Sequence, residues 1–229
     1  MALAAPGAAP GAAQRRARVA TDQPRRARLG AARLYVITPD ADPERVVEIA
    51  AAAQRGGAEI IQLRHKTLAR GALLELAREL RRVIDRALFV VNDHVDIALL
   101  SDADGVHLGP DDLSLAAARH VAGGGLLIGA SASTVDTART AIAGGADYLG
   151  CGPAFATPIK TEKRVIGPEG IAQVVAAVEV PVFAIGGIDE ANLPRLTSRG
   201  LRRVCVIRAV GASADPERAA RRLRAMLNR

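Results

Sequence analysis

The sequence predicts a closed (β/α)8 barrel, a TIM barrel made as a single α/β domain over residues 31–229. Three observations carry that expectation. Eight short β-prone runs alternate with longer helical patterns from Arg33 onward; strands reached through helices must be parallel, and eight such units favour a closed barrel. Several of the runs are apolar without alternation, as where both faces of a sheet are buried. Polar residues also collect after nearly every run, where a barrel gathers them around one mouth. A doubly wound open sheet, the competing architecture, would concentrate them at a switch point.

Taken in order, residues 1–30 are Ala, Gly, Pro and Arg with almost no large apolar side chain, so they are expected to form a disordered extension. No continuous apolar stretch supports a secretory signal, and the lack of Ser speaks against an organellar one. The strands are expected at 34–38, 59–64, 88–92, 105–108, 126–131, 148–151, 182–185 and 203–207. Helical periodicity covers 43–55, 71–86, 113–121, 135–143, 170–178, 192–198 and 216–227. Pro43 and Pro216 suit first helical turns, and Gly56-Gly57, Gly123 to Gly125 and Gly144-Gly145 suit helix ends.

The 229 residues are 49% hydrophobic, enough for one substantial core. The net charge of +7 invites a nucleic-acid reading, but residues 1–30 carry six Arg against Asp22 alone, a balance of +5, which leaves +2 for the rest. With no Trp, two Tyr and three Phe, the folded part lacks stacking side chains for single strands. No nucleic-acid partner is expected. No apolar run reaches a membrane span, and two distant cysteines, Cys151 and Cys205, fit a cytoplasmic protein with reduced thiols.

The chemistry-bearing residues stand at the strand ends. The second run closes on Gln62-Leu63-Arg64-His65-Lys66, two cations and an amide suited to a phosphate or pyrophosphate. His65 would point away from its neighbours if the strand continued. The third run delivers Asn92-Asp93 and the fourth leads to Asp111-Asp112. If these strands are neighbours, two carboxylates emerge on one rim, a donor set that suits Mg²⁺ completed by water and substrate phosphate. The alternative is that the acids cap the following helices, a role that fits Asp111. His107 reads as a strand residue, since no second His or Cys stands at zinc spacing. Ser131 lacks a Ser-His-Asp setting and reads as a hydrogen-bonding residue.

The sixth loop, Gly150 to Lys160, combines small residues with Thr157 and Lys160 and is long enough to serve as a lid. Gly186-Gly187 and Ile207-Arg208 end the last two strands, where barrels often bind phosphate. A second anion site, and so two phosphorylated substrates, follow.

The motifs QLRHK, ND followed by VDIAL, DGVHLGPDD, DYLGCGPAFATPIK and PVFAIGGI, in this order across about residues 33–227, together resemble the thiamine phosphate synthase family. The resemblance implies a transferase that uses Mg²⁺ to join hydroxymethylpyrimidine diphosphate to thiazole phosphate, giving thiamine phosphate and pyrophosphate. By position it implies Gln62, Arg64, Lys66, Asn92 and Lys160 as diphosphate-side contacts, with Ser131 near the pyrimidine. Arg64, Lys66, Ser131 and Lys160 form the expected catalytic set, and Asp93 and Asp112 the metal ligands. Thr157, Pro158, Ile159, Gly187, Ile207 and Arg208 take the thiazole-phosphate positions; Leu63 and His65 enter the substrate-binding set as members of the QLRHK segment. Pro110, Ser133, Ile159 and Arg208 depart from the family's usual Gln, His, Thr and Ser. Ile159 loses a hydroxyl that the cation of Arg208 would compensate. The alternatives are a paralogue resembling thiazole tautomerase, whose catalytic His falls where this chain has Ser133, and a non-catalytic metabolite-binding barrel.

Overall fold

The apolar runs form eight short strands: β1 (Leu34–Ile37), β2 (Ile60–Leu63), β3 (Leu88–Asn92), β4 (Gly105–Leu108), β5 (Leu127–Ala132), β6 (Tyr148–Cys151), β7 (Val182–Ile185) and β8 (Val204–Val206). Each pairs in parallel with the next, and β8 pairs with β1, so the sheet closes in the order β1 to β8. The computed structural model describes residues 23–157 and 164–228. The helices are α1 (23–31), α2 (Pro43–Arg55), α3 (Arg70–Val83), α4 (Val95–Leu100), α5 (Leu115–Ala122), α6 (Val135–Ala143), α7 (Gly167–Ala176), α8 (Pro194–Thr197), α9 (Arg208–Gly211) and α10 (Pro216–Met226). Among the described residues, none of these helices is long and apolar enough to cross a membrane.

Side chains alternate across each strand, but both sets are apolar. Tyr35, Ile37, Ile60, Leu88, Val90, Leu127, Tyr148, Phe183 and Cys205 fill the barrel interior as one cluster. Their neighbours, among them Val36, Ile61, Phe89, Val106 and Leu149, pack outward against the helices. This double burial is why the runs show no period of two. Phe183 meets Tyr35 and Tyr148 edge-on, with centroids 5.5 and 6.0 Å apart, an arrangement that aromatic quadrupoles favour. Gly129 makes room for this packing: a Cβ there would overlap the Tyr148 ring and lie 2.6 Å from His107 Nδ1.

The opposite end of the barrel from the mouth is held by three acids, of which Asp104 and Asp147 are buried and Glu59 is partly buried. Glu59, Asp104 and Asp147 each stand directly before an even-numbered strand. Glu59 Oε2 accepts the Leu34 N–H at 3.0 Å, and Oε1 meets Arg224 at 2.8 Å. Asp104 Oδ2 accepts from Phe89 N (2.9 Å) and Arg81 (3.0 Å). Asp147 Oδ2 accepts from Ile128 N (2.8 Å) and Arg119 (2.7 Å). Each carboxylate therefore ties the start of the preceding strand to a helix, which satisfies charges that burial would otherwise penalise.

Two of these acids, Asp104 and Asp147, also hold α1 in place. Arg25 reaches Asp104 Oδ1 at 3.0 Å, Arg26 reaches Asp147 Oδ1 at 2.7 Å, and Arg28 donates to the Arg86 carbonyl at 2.6 Å. Leu29, 3% exposed, seats under the interior cluster. The expected boundary at residue 30 is therefore corrected: residues 23–31 belong to the folded unit, because arginines and one leucine anchor a helix without an apolar stripe. The expectation for residues 1–22 lies outside the described residues. The short α4 and α9, of six and four residues, were not expected either, since neither is long enough to display a helical period.

Replacing Asp104 by Ala strands Arg25, Arg81 and the Phe89 N–H at once. We expect a loss of about 3 kcal/mol, in the range for removing one partner of a buried ion pair. It should appear as a lower urea midpoint with an unchanged m-value.

Candidate active site

The end of β2 divides its residues by strand alternation. Gln62 faces the interior, 1% exposed, and its Nε2 donates to the Tyr35 hydroxyl at 2.6 Å. Tyr35 in turn meets the Tyr148 hydroxyl at 3.0 Å, and burial raises both phenols above their ordinary range. Gln62 Oε1 is buried without a hydrogen-bond partner among the described residues, so this amide is left to be satisfied by a ligand or water. Leu63, 1% exposed, packs outward toward the helices, which leaves only its backbone for any ligand.

Arg64 and Lys66 lie on the rim. Arg64 Nη1 donates to Asp40 Oδ2 at 3.0 Å, and its side chain is 19% exposed. Lys66, half exposed, forms an ion pair with Asp93. His65 turns the other way: its ring is 6% exposed and its Nε2 lies 2.9 Å from the Ala41 carbonyl. The ring braces the loop, so the geometry does not favour its expected place among the substrate contacts, and the strand-alternation argument explains why.

Asp93 and Asp112 come together, as parallel neighbouring strands require. Asp93 has φ +64°, a left-handed conformation in a non-glycine residue, and its N–H is pinned to the His107 carbonyl at 2.8 Å. Such outliers concentrate at functional sites. Asp112 Oδ2 accepts the Gly109 N–H at 2.7 Å. Burial pushes the Asp93 carboxyl up, but hydrogen bonds with Lys66 and Asp112, together with the Lys66 charge, outweigh it and hold the group below its ordinary value. Asp112 is raised, by burial first and then by Asp93, despite its bond from Gly109. Two carboxyls crowded together with one cation at hand form a donor set that a divalent ion would relieve, and this fits Mg²⁺. Among the described residues no group of three or more His, Cys, Asp or Glu could hold a metal, so the remaining ligands would come from water and substrate. Asp111 is exposed, and the side-chain cap of α5 is Ser114, which accepts from Ala117 N at 3.2 Å. The expected capping role of Asp111 is thereby corrected.

Inside the mouth, Asn92 ends β3 beside His107 of β4, and His107 Nε2 lies 3.1 Å from Ser131 Oγ. On the far side, the loops after β6 and β7 are joined by Ala154 N to Ile185 O (2.8 Å) and Phe155 N to Gly186 O (3.0 Å). Gly187, φ +64°, permits this approach, since a Cβ there would run into the Ala156 carbonyl. Its own carbonyl accepts from Asn192 Nδ2 at 2.7 Å. Ile207 packs on the interior cluster, and Arg208 opens α9 with an exposed side chain. Thr157 is partly buried at the edge of the described chain. Pro158, Ile159 and Lys160 lie outside the described residues.

A sequence-family model described as thiamine monophosphate synthase matches residues 34–210. The chain belongs to the thiamine monophosphate synthase family. A thiamine-phosphate synthase of Anaeromyxobacter dehalogenans is 46% identical over 205 residues, covering 88% of this chain and 89% of that protein. One of Gloeobacter violaceus is 47% identical over 195 residues, or 84% of this chain, and this chain spans only 57% of its length. A solved thiamine phosphate pyrophosphorylase of Pyrococcus furiosus superposes with a TM-score of 0.79 at 38% identity, covering 89% of this chain and 97% of that one.

Two residues escaped the sequence reading of this family site. Thr38, fully buried, accepts the Arg64 N–H at 3.1 Å, and Asp40 holds Arg64. Both follow β1, and only closure of the barrel sets them beside the end of β2.

The raised Asp112 carboxyl means that its charged form is disfavoured in the fold, a cost present at neutral pH and removed as pH falls through its folded value. With divalent ions absent, Asp112→Asn should therefore stabilise the protein at pH 7 by a few tenths of a kcal/mol, about what solvent screening leaves of such a term. The gain should fade in acid, as urea titrations at both pH values would read.

Proposed function

We propose that this protein joins 4-amino-2-methyl-5-hydroxymethylpyrimidine diphosphate to a thiazole phosphate, releasing pyrophosphate and forming thiamine phosphate. The observation that carries the reading is the meeting of Arg64, Lys66, Asp93 and Asp112 on one rim, in a chain of this family. The names of its relatives support the same reaction.

The C–O bond between the pyrimidine's methylene carbon and the diphosphate breaks, and its electron pair leaves with pyrophosphate. The carbocation that remains is stabilised by the aminopyrimidine ring, and the thiazole nitrogen closes the new C–N bond with its lone pair. Arg64, Lys66 and Lys160 offset the charge on the departing group, an electrostatic contribution that preorganised cations make at little reorganisation cost. Asp93 and Asp112 would hold Mg²⁺, which when bound would neutralise diphosphate oxygens. Gln62 and Asn92 contact the pyrimidine diphosphate and Ser131 stands near the pyrimidine, so that positioning supplies much of the rate. Thr157, Pro158, Ile159, Gly187, Ile207 and Arg208 receive the thiazole phosphate.

No protein nucleophile is needed, and Cys151 is not prepared as one: burial pushes its thiol up to about 12. Both cysteines are free and buried, which suits a reducing compartment, and we assign the activity to the cytoplasm.

Mixing both substrates with Mg²⁺ should release pyrophosphate and thiamine phosphate in equal amounts, and a chelator should stop both. Absence of pyrophosphate under these conditions would leave a tautomerase or a non-catalytic binder instead. Separately, Arg208→Ser should weaken thiazole phosphate binding by about tenfold, the scale of one charge-assisted contact. Unchanged affinity would contradict the idea that Arg208 compensates for Ile159.

A further inference from the structure

The loop after β1 grips the whole cationic end of β2. Asp40 Oδ2 accepts from Arg64 Nη1 at 3.0 Å, and Asp40 Oδ1 accepts the Lys66 N–H at 2.5 Å. Around this pair of bonds, Thr38 Oγ1 takes the Arg64 N–H and the Ala41 carbonyl meets the His65 ring. Among the described residues, Asp40 is thus the one side chain that bonds to both cationic residues, one through its guanidinium and the other through its backbone. Beyond it, the Lys66 ammonium continues to Asp93, so a line of contacts runs from Asp40 to the paired carboxylates.

We propose that Asp40 is a positioning residue for diphosphate recognition, acting through Arg64 and Lys66. The inference rests on reading this rim as the diphosphate site. Arg64 has five N–H donors in a rigid fork. Asp40 engages one prong from the side of β1, which fixes the plane of the guanidinium and leaves its other donors without a partner among the described residues. An arginine is long and rotamer-rich, and holding it before the ligand arrives reduces what binding must spend on ordering it. The bond to the Lys66 N–H does the same for the turn that aims the ammonium along the rim. Asp40 meets the guanidinium at Nη1, so its negative charge acts as an anchor for the cation.

The test is a double-mutant cycle read by calorimetric titration with Mg²⁺ and inorganic pyrophosphate, a probe that needs no turnover. Asp40→Ala should weaken pyrophosphate binding about tenfold, the size of one lost hydrogen bond to a charged group. Asp40→Asn, which keeps an acceptor for the Lys66 N–H, should lose less. In an Arg64→Ala background the same Asp40 substitutions should cost at most about twofold, since the coupling through Arg64 vanishes and only the bond to the Lys66 N–H remains to be lost. With both substrates, the Asp40 variants should raise KM for the pyrimidine diphosphate far more than they lower kcat. Equal losses with and without Arg64, or tighter pyrophosphate binding in Asp40→Asn, would overturn the proposal. Failure of wild-type turnover with intact pyrophosphate binding would instead count against the synthase reading alone, because the cycle would still decide the role of Asp40.

Discussion

Closure of the barrel by the parallel pairing of β8 with β1 is the constraint on which the rest of the structure depends. It puts every strand's carboxyl end on one rim, so residues distant in sequence become neighbours there. It also creates the opposite face, where strand starts need acceptors. The carboxylates of Glu59, Asp104 and Asp147 meet that need by capping a strand N–H and binding an arginine in the same stroke. Division of labour between the two faces, stability below and chemistry above, is a property of this architecture.

The site carries a built-in electrostatic conflict. Asp93 and Asp112 are drawn together although Asp93 opposes the ionisation of Asp112, while Lys66 and the hydrogen bond with Asp112 favour the charged Asp93, leaving Asp112 as the raised partner. Such an arrangement costs stability in the free protein and gains meaning only with a multivalent cation and an anionic ligand present. The left-handed backbone of Asp93 is a second local cost at the same place. Paired costs at one point are what a site selected for binding, rather than for folding, would show.

Much of this was legible in the sequence, for physical reasons. Eight apolar runs separated by helical periods left few topologies, and α2 and α6 fall on their expected bounds because Pro43, Gly56 and Gly144 mark the ends. The acidic stations after β3 and β4 could be paired because parallel neighbours bring their carboxyl ends to one rim, and the family resemblance singled out Asp112 over Asp111. What the sequence concealed depends on tertiary contact. Helix α1 has one buried leucine and no apolar stripe, and its arginines find partners 79 and 121 positions away. Asp40 sits in an unremarkable turn, and only its distance to Arg64 and Lys66 reveals it.

The central claim is that Asp93 and Asp112 share a divalent ion that faces the diphosphate held by Arg64 and Lys66. A crystal soaked with Mn²⁺ and pyrophosphate tests it most directly, through the anomalous signal of the metal. The account requires one strong peak coordinated by both carboxylates and by a pyrophosphate oxygen, with the remaining pyrophosphate oxygens on Arg64 and Lys66. A peak bound elsewhere, or pyrophosphate bound at the rim with no metal between it and the two carboxylates, would contradict it.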